Sequence, residues 1–124
     1  MNKKKIIVAE DDPDLLWLLV EKLLSEGYDV QGMPDGMQIL EGRCSLPDLF
    51  ILDKEMDPVD GESITRYLRY LPASKDIPIF MLSGNNSSKS AIAAGVNHYF
   101  EKPFDIKEVM QAIEQTFEHN ATGV

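Results

Sequence analysis

The sequence predicts an α/β fold built on a five-stranded parallel sheet with helices on both faces. Three observations carry that prediction. First, four short apolar runs, Ile6-Ile7-Val8-Ala9, Leu49-Phe50-Ile51-Leu52, Ile79-Phe80-Met81-Leu82 and Val96 to Phe100, are bounded by turn residues, as fully buried strands of a parallel sheet are. Second, these runs alternate with helical patterns, which points to βαβ units. Third, each run leads into polar residues: Glu10-Asp11-Asp12, Asp53, Ser83, and Lys102 by way of Glu101. Ligands of an open α/β sheet bind outside the carboxyl ends of its strands. Parallel neighbours would therefore bring carboxylates, a hydroxyl and an ammonium to one edge.

The elements follow in order. After the first strand, Asp12 at the N-cap and Pro13 at N1 start a helix that runs to about Glu26, where Gly27 stops it. Asp12 is thereby assigned to capping, which leaves Glu10 and Asp11 for chemistry. Tyr28 to Met33 reads as the second strand and Gly36 to Leu40 as a short helix. The third strand ends at Leu52. Gly61 to Leu71 carries Ile64, Leu68 and Leu71 at helical spacing, and Pro72 closes it. Ile77 to Leu82 is the fourth strand. Asn85-Asn86-Ser87-Ser88 starts a helix poorly and only Ala91 to Ala94 looks helical, so the fourth helix is expected to be short. Asp105 caps the last helix, with Glu108 at N3 and an apolar stripe of Ile106, Val109, Met110, Ile113 and Phe117. Residues 1–120 read as one domain and 121–124 as a frayed tail, with fraying from about Asn120.

With 124 residues the chain is the size of one ordinary domain. Its formal charge of -9, from 12 basic and 21 acidic residues, argues against direct nucleic-acid binding. No apolar stretch approaches a transmembrane length, and the run after Lys3-Lys4-Lys5 is too short for a signal peptide. The single cysteine, Cys44, lies in a loop-like stretch and fits a reducing, cytoplasmic compartment.

Five landmarks in this order resemble the receiver domain of two-component response regulators. They are Glu10-Asp11, Asp53, the Asp60-Gly61 turn, Ser83-Gly84 and Lys102-Pro103-Phe104. The resemblance covers nearly the whole chain. It implies a flavodoxin-like three-layer sandwich with strand order 2-1-3-4-5. It also implies Mg²⁺ (or Mn²⁺) held directly by Asp11 and Asp53, by Glu10 mainly through water, and by the backbone carbonyl of Glu55. Asp53 would then be the nucleophile that takes a phosphoryl group from a phosphohistidine, with the metal and Lys102 balancing charge. Ser83 would hydrogen-bond the arriving phosphoryl group, and Tyr99 would change rotamer with it. The Lys102-Pro103 bond is cis in the family, which would turn Lys102 toward the acids. The implied partners are a sensor histidine kinase or a histidine phosphotransfer protein. A downstream protein or a second copy would bind the face made by helix four, strand five and helix five.

A purely structural role for the acids leaves a cost unexplained. Two carboxylates about 4 Å apart repel by roughly 4 kcal/mol at an effective dielectric of 20. Three of them together call for a cation.

On a helical wheel, Leu15, Leu18, Leu19 and Leu23 form one stripe of the first helix, and Leu16, Trp17, Val20 and Leu24 lie on the other side. An outer helix that is apolar on both sides is expected to dock something. Trp17, Val20 and Leu24 are the residues expected to contact a kinase, a phosphotransfer domain, a neighbouring domain or a second copy.

The chain departs from the family pattern in three places. Asp57 stands where Pro is usual after Met56, Ser83 replaces the commoner Thr, and the segment from Ser83 to Gly95 is about one turn short. Glu55 and Asn85 occupy positions that tune dephosphorylation in the family. A haloacid dehalogenase phosphatase would need a second Asp where Asp53-Lys54-Glu55 has Glu. A flavodoxin-type module would need a Ser/Thr-rich phosphate loop where this chain has acids. A degenerate receiver, acting only in interaction or dimerisation, would lack part of a set that is complete here.

Overall fold

A computed structural model describes residues 3–86 and 88–121. The strands are β1 (Lys5–Ala9), β2 (Asp29–Met33), β3 (Leu49–Asp53), β4 (Ile79–Ser83) and β5 (His98–Glu101). The helices are α1 (Pro13–Ser25), α2 (Met37–Leu40), α3 (Gly61–Tyr70), α4 (Ser88–Ala94) and α5 (Ile106–Ala121). All four strand pairings are parallel, in the order β2-β1-β3-β4-β5. The expected architecture and strand order are therefore observed.

Burial explains which strands are central. Every residue of β3 and β4 is buried, and β1 is buried after Lys5. The edge strands β2 and β5 are mostly exposed or half-buried, and both are more polar in sequence. Alternate residues of the central strands face opposite sides. Ile6, Val8, Leu49, Ile51, Phe80 and Leu82 pack with Leu19 and Leu23 of α1 and with Val109, Ile113 and Phe117 of α5. Ile7, Ala9, Phe50, Leu52, Ile79 and Met81 pack with Ile39, Ile64, Leu68 and Ala91 of the other three helices.

The Asp12 and Asp105 caps act as the sequence suggests: the Asp12 carboxylate accepts from the Asp14 and Leu15 amides, and Asp105 from Lys107. Asp60, read from the sequence only as a turn residue, also caps α3 by accepting from the Ser63 amide. Gly27, at φ 94°, takes the left-handed turn after α1. The helix α4 is short, as expected, but begins at Ser88 rather than at Ala91. The expected frayed tail overlaps the end of α5, which includes Asn120 and Ala121, and residues 122–124 lie outside those described.

The wheel assignment for α1 needs two corrections. Leu18, grouped with Leu19 and Leu23, is 47% exposed, whereas Leu16, grouped with Trp17, packs against the core beside Leu15. Gly32 of β2 explains the placement of Leu16: a β-carbon there would stand 2.9 Å from Val20 Cγ2 and 3.2 Å from Leu16 Cδ1, so the missing side chain lets both residues settle on the strand. Among the described residues no helix is long and apolar enough to cross a membrane.

Candidate phosphoryl-transfer site

Parallel register assembles the site at the carboxyl ends of the strands. The Glu10 amide donates to Met33 O, Lys54 N–H to Leu82 O, and Lys102 N–H to Ser83 O at 2.7 Å. Each bond ties the residue after one strand to one of the last two residues of its neighbour. Glu10, Asp53, Ser83 and Lys102 are thereby held on one edge.

Glu10 and Asp53 are both buried. Glu10 Oε2 accepts from the Asp12 amide at 3.0 Å. Glu10 Oε1 faces the Lys102 ammonium at 3.0 Å and has no further partner among the described residues. The same ammonium lies 3.3 Å from Asp53 Oδ1, which also accepts from the Glu55 amide at 3.2 Å. Asp11 is exposed. Glu10, Asp11 and Asp53 can each present a carboxylate oxygen so that all three oxygens lie within 4.8 Å of one another. Such a group of hard oxygen donors suits Mg²⁺ or Mn²⁺. Asp12 is exposed and engaged in capping α1, as the sequence indicates.

Burial is the main reason that the Asp53 carboxyl is pushed up to about 8. The neighbouring Glu10 and Asp11 carboxyls act in the same direction, and Lys102 opposes them. Burial alone would lower the Lys102 ammonium, but its contacts with Glu10 and Asp53 outweigh that and raise it. Each charge is thus costly alone, and a cation near the carboxylates would relieve the repulsion.

Ser83 is buried at the end of β4. Its hydroxyl donates to Glu55 Oε2 at 2.7 Å and accepts from the Asn85 amide at 3.2 Å. The hydroxyl of Tyr99, which is half-buried on β5, donates to the Asn85 carbonyl. Ser83 and Tyr99 thus meet at one residue. The Lys102-Pro103 bond is cis, as the family pattern implies, and so is Asp57-Pro58. Asp57 is not in the carboxylate cluster.

Trp17 and Leu24 are 64% and 48% exposed on α1. Trp17 and Val20 line a shallow apolar groove of about 350 Å³ with Pro13, Leu16 and Gly32. Cys44 is half-buried, and burial raises its thiol, which disfavours a reactive thiolate. Two contributors carry no local signal in the sequence: the Glu55 side chain, which binds Ser83, and Gly61, which lies against Asp53.

The chain matches the response regulator receiver domain family over residues 6–114. The DNA-binding dual master transcriptional regulator RpaA of Synechocystis sp. is 33% identical over 113 residues, covering 88% of this chain and 47% of that protein. The DNA-binding response regulator MtrA of Mycolicibacterium smegmatis is 31% identical over 122 residues, covering 95% and 52%. The chain therefore spans about half the length of these curated relatives. Among solved structures, the receiver domain of sensor histidine kinase PA1611 from Pseudomonas aeruginosa PAO1, with a magnesium ion in its active-site cleft, superposes with a TM-score of 0.82. It is 27% identical, and the match covers 92% of this chain and 97% of that one.

Proposed function

Because the chain belongs to the response regulator receiver domain family, we propose that Asp53 is its phosphoacceptor and that Glu10, Asp11 and Asp53 hold Mg²⁺ or Mn²⁺. The Glu55 backbone carbonyl would complete the protein ligands. The single observation that carries this reading is the buried Asp53 carboxylate, flanked by two further acids and faced by Lys102 at 3.3 Å.

A carboxylate oxygen of Asp53 attacks the phosphorus of a donor phosphohistidine. A P–O bond forms as the P–N bond breaks, and the freed imidazole nitrogen takes a proton from solvent. Lys102 stays beside the transferring oxygens as a fixed positive charge. When bound, the divalent cation adds charge neutralisation and keeps Asp53 ionised. Hydrolysis of the acyl phosphate by water restores the carboxylate, so the domain promotes both its phosphorylation and its dephosphorylation.

The proposed donor is a sensor histidine kinase or a histidine phosphotransfer protein, docking in part on Trp17, Val20 and Leu24. Ser83 and Tyr99 carry the switch to the face formed by α4, β5 and α5, where a downstream protein or a second copy would bind. The charge of -9 argues against these residues contacting nucleic acid themselves. A lone, half-buried cysteine fits the cytoplasm. The interaction-only alternative is not favoured, because the acids, the hydroxyl and the lysine are all present and assembled. The test is incubation with Mg²⁺ and acetyl phosphate or beryllofluoride. Wild type should gain one phosphoryl group by mass, or change its spectrum, and Asp53→Asn should not. A silent wild type would overturn the reading.

A further inference from the structure

The Glu55 side chain is not used by the chemistry proposed above, yet it is held by two donors at the site. Its Oε2 accepts from the Ser83 hydroxyl at 2.7 Å and its Oε1 from the Gly84 amide at 2.8 Å. Two donors gripping the two oxygens of one anion form a fork that suits phosphoryl oxygens equally well. The fork also lies beside the acceptor. Asp53 pairs in register with Leu82, and Ser83 is the next residue along β4.

We infer that the Glu55 carboxylate is a resident anion that competes with a phosphoryl group on Asp53 for the Ser83 hydroxyl and the Gly84 amide. This inference rests on Asp53 being the phosphoacceptor. A hydroxyl has one hydrogen to donate, and it cannot serve Glu55 and a phosphoryl oxygen together. Charge also favours exchange over sharing, because a carboxylate and a phosphoryl group repel at short range. Glu55 has somewhere to go. Its side chain is 41% exposed, and Lys54 Nζ lies 4.0 Å from Oε2. Glu55 is a positioning residue: it acts through Ser83 and Gly84, and it opposes retention of the phosphoryl group.

The test uses wild type, Glu55→Gln and Glu55→Asp. Each is titrated with beryllofluoride in Mg²⁺ while the Gly84 amide resonance is followed by NMR. Glutamine would set an amide NH₂ against one of the two donors, and aspartate is one methylene short of spanning both. Both variants should move the Gly84 resonance before any beryllofluoride is added, and both should bind it about tenfold more tightly, the effect of losing one charge-assisted hydrogen-bond competitor. A Gly84 resonance unmoved in both variants would overturn the inference. So would a gain confined to Glu55→Gln, since charge repulsion without contact would then suffice. No uptake by wild type or either variant would overturn the phosphoacceptor reading, and the competitor with it.

Discussion

Gly61 lies directly against Asp53: a β-carbon on Gly61 would stand 2.5 Å from the Asp53 carbonyl oxygen and 3.1 Å from Lys54 Cα. The first residue of α3 therefore approaches the backbone of the proposed phosphoacceptor closely, and its amide donates to Lys54 O at 2.9 Å. Gly61→Ala should push α3 away from the end of β3. The expected cost is about 1–3 kcal/mol, as for other small-to-large changes in packed sites. Phosphoryl uptake at Asp53 should fall as well. Urea unfolding and a beryllofluoride titration measure both, and a variant as stable and as responsive as wild type would refute the contact.

Stability in metal-free buffer should depend on pH through Asp53. Its folded carboxyl titrates near 8, against 3.8 for an ordinary aspartate. The unfolded chain therefore releases this proton first as pH rises. The contribution of this group is fully present below pH 4, declines between about 4 and 8, and stays low above that. The raised Lys102 ammonium acts outside this window, because its contribution holds until pH rises past the ordinary lysine range. At pH 8 without metal, Asp53→Asn should be at least as stable as wild type, by about 1–3 kcal/mol at most. Mg²⁺ should stabilise wild type at pH 8 far more than the variant. Denaturant melts at pH 5 and pH 8, with EDTA or Mg²⁺, give the comparison. A variant clearly less stable than wild type in EDTA at pH 8 would contradict it.

Lys102→Met removes the ammonium that Glu10 and Asp53 share. Breaking a fully buried pair costs about 3–5 kcal/mol. Lys102 is a quarter exposed, so solvent screening should bring the loss nearer about 1–2 kcal/mol in EDTA. The loss should shrink in Mg²⁺, where a second cation serves the same carboxylates. An equal loss in both buffers would indicate that Lys102 matters for packing rather than charge.

Trp17→Glu should leave stability within about 0.5 kcal/mol, because the side chain is mostly exposed. Acetyl phosphate should label the variant as it labels wild type. Transfer from a histidine phosphotransfer protein should slow, since only that reaction uses a docked donor. Equal transfer rates for variant and wild type would remove Trp17 from the docking surface.

Much of this was legible in the sequence for a physical reason. A strand buried on both faces must be a continuous apolar run. Its end is therefore marked by the first polar residue, and in a parallel sheet those ends form the site. Glu10, Asp53 and Ser83 could be found this way, Lys102 was marked by Pro103 after the edge strand rather than by burial, and Asp12 could be set aside because a cap before Pro13 has its own signature.

Other features depended on neighbours far away in the chain. Periodicity gave α1 two apolar stripes but not the angle at which it meets the sheet. The absence of a side chain at Gly32 lets Leu16 and Val20 settle on β2, and Leu18 stays 47% exposed. A glycine at the start of a helix could be a simple turn residue, and only the folded chain puts Gly61 against Asp53.

The sequence by itself determined the sheet, the capped helices and which residues stand at the strand ends, because those depend on burial and on local hydrogen bonding. Tertiary structure alone decided that Glu55 grips Ser83 and Gly84, that Lys102 reaches Glu10 and Asp53 together, and which side of α1 faces out. Those are contacts between residues tens of positions apart, and no local pattern in the chain encodes the distance between two side chains that only the packed sheet brings together.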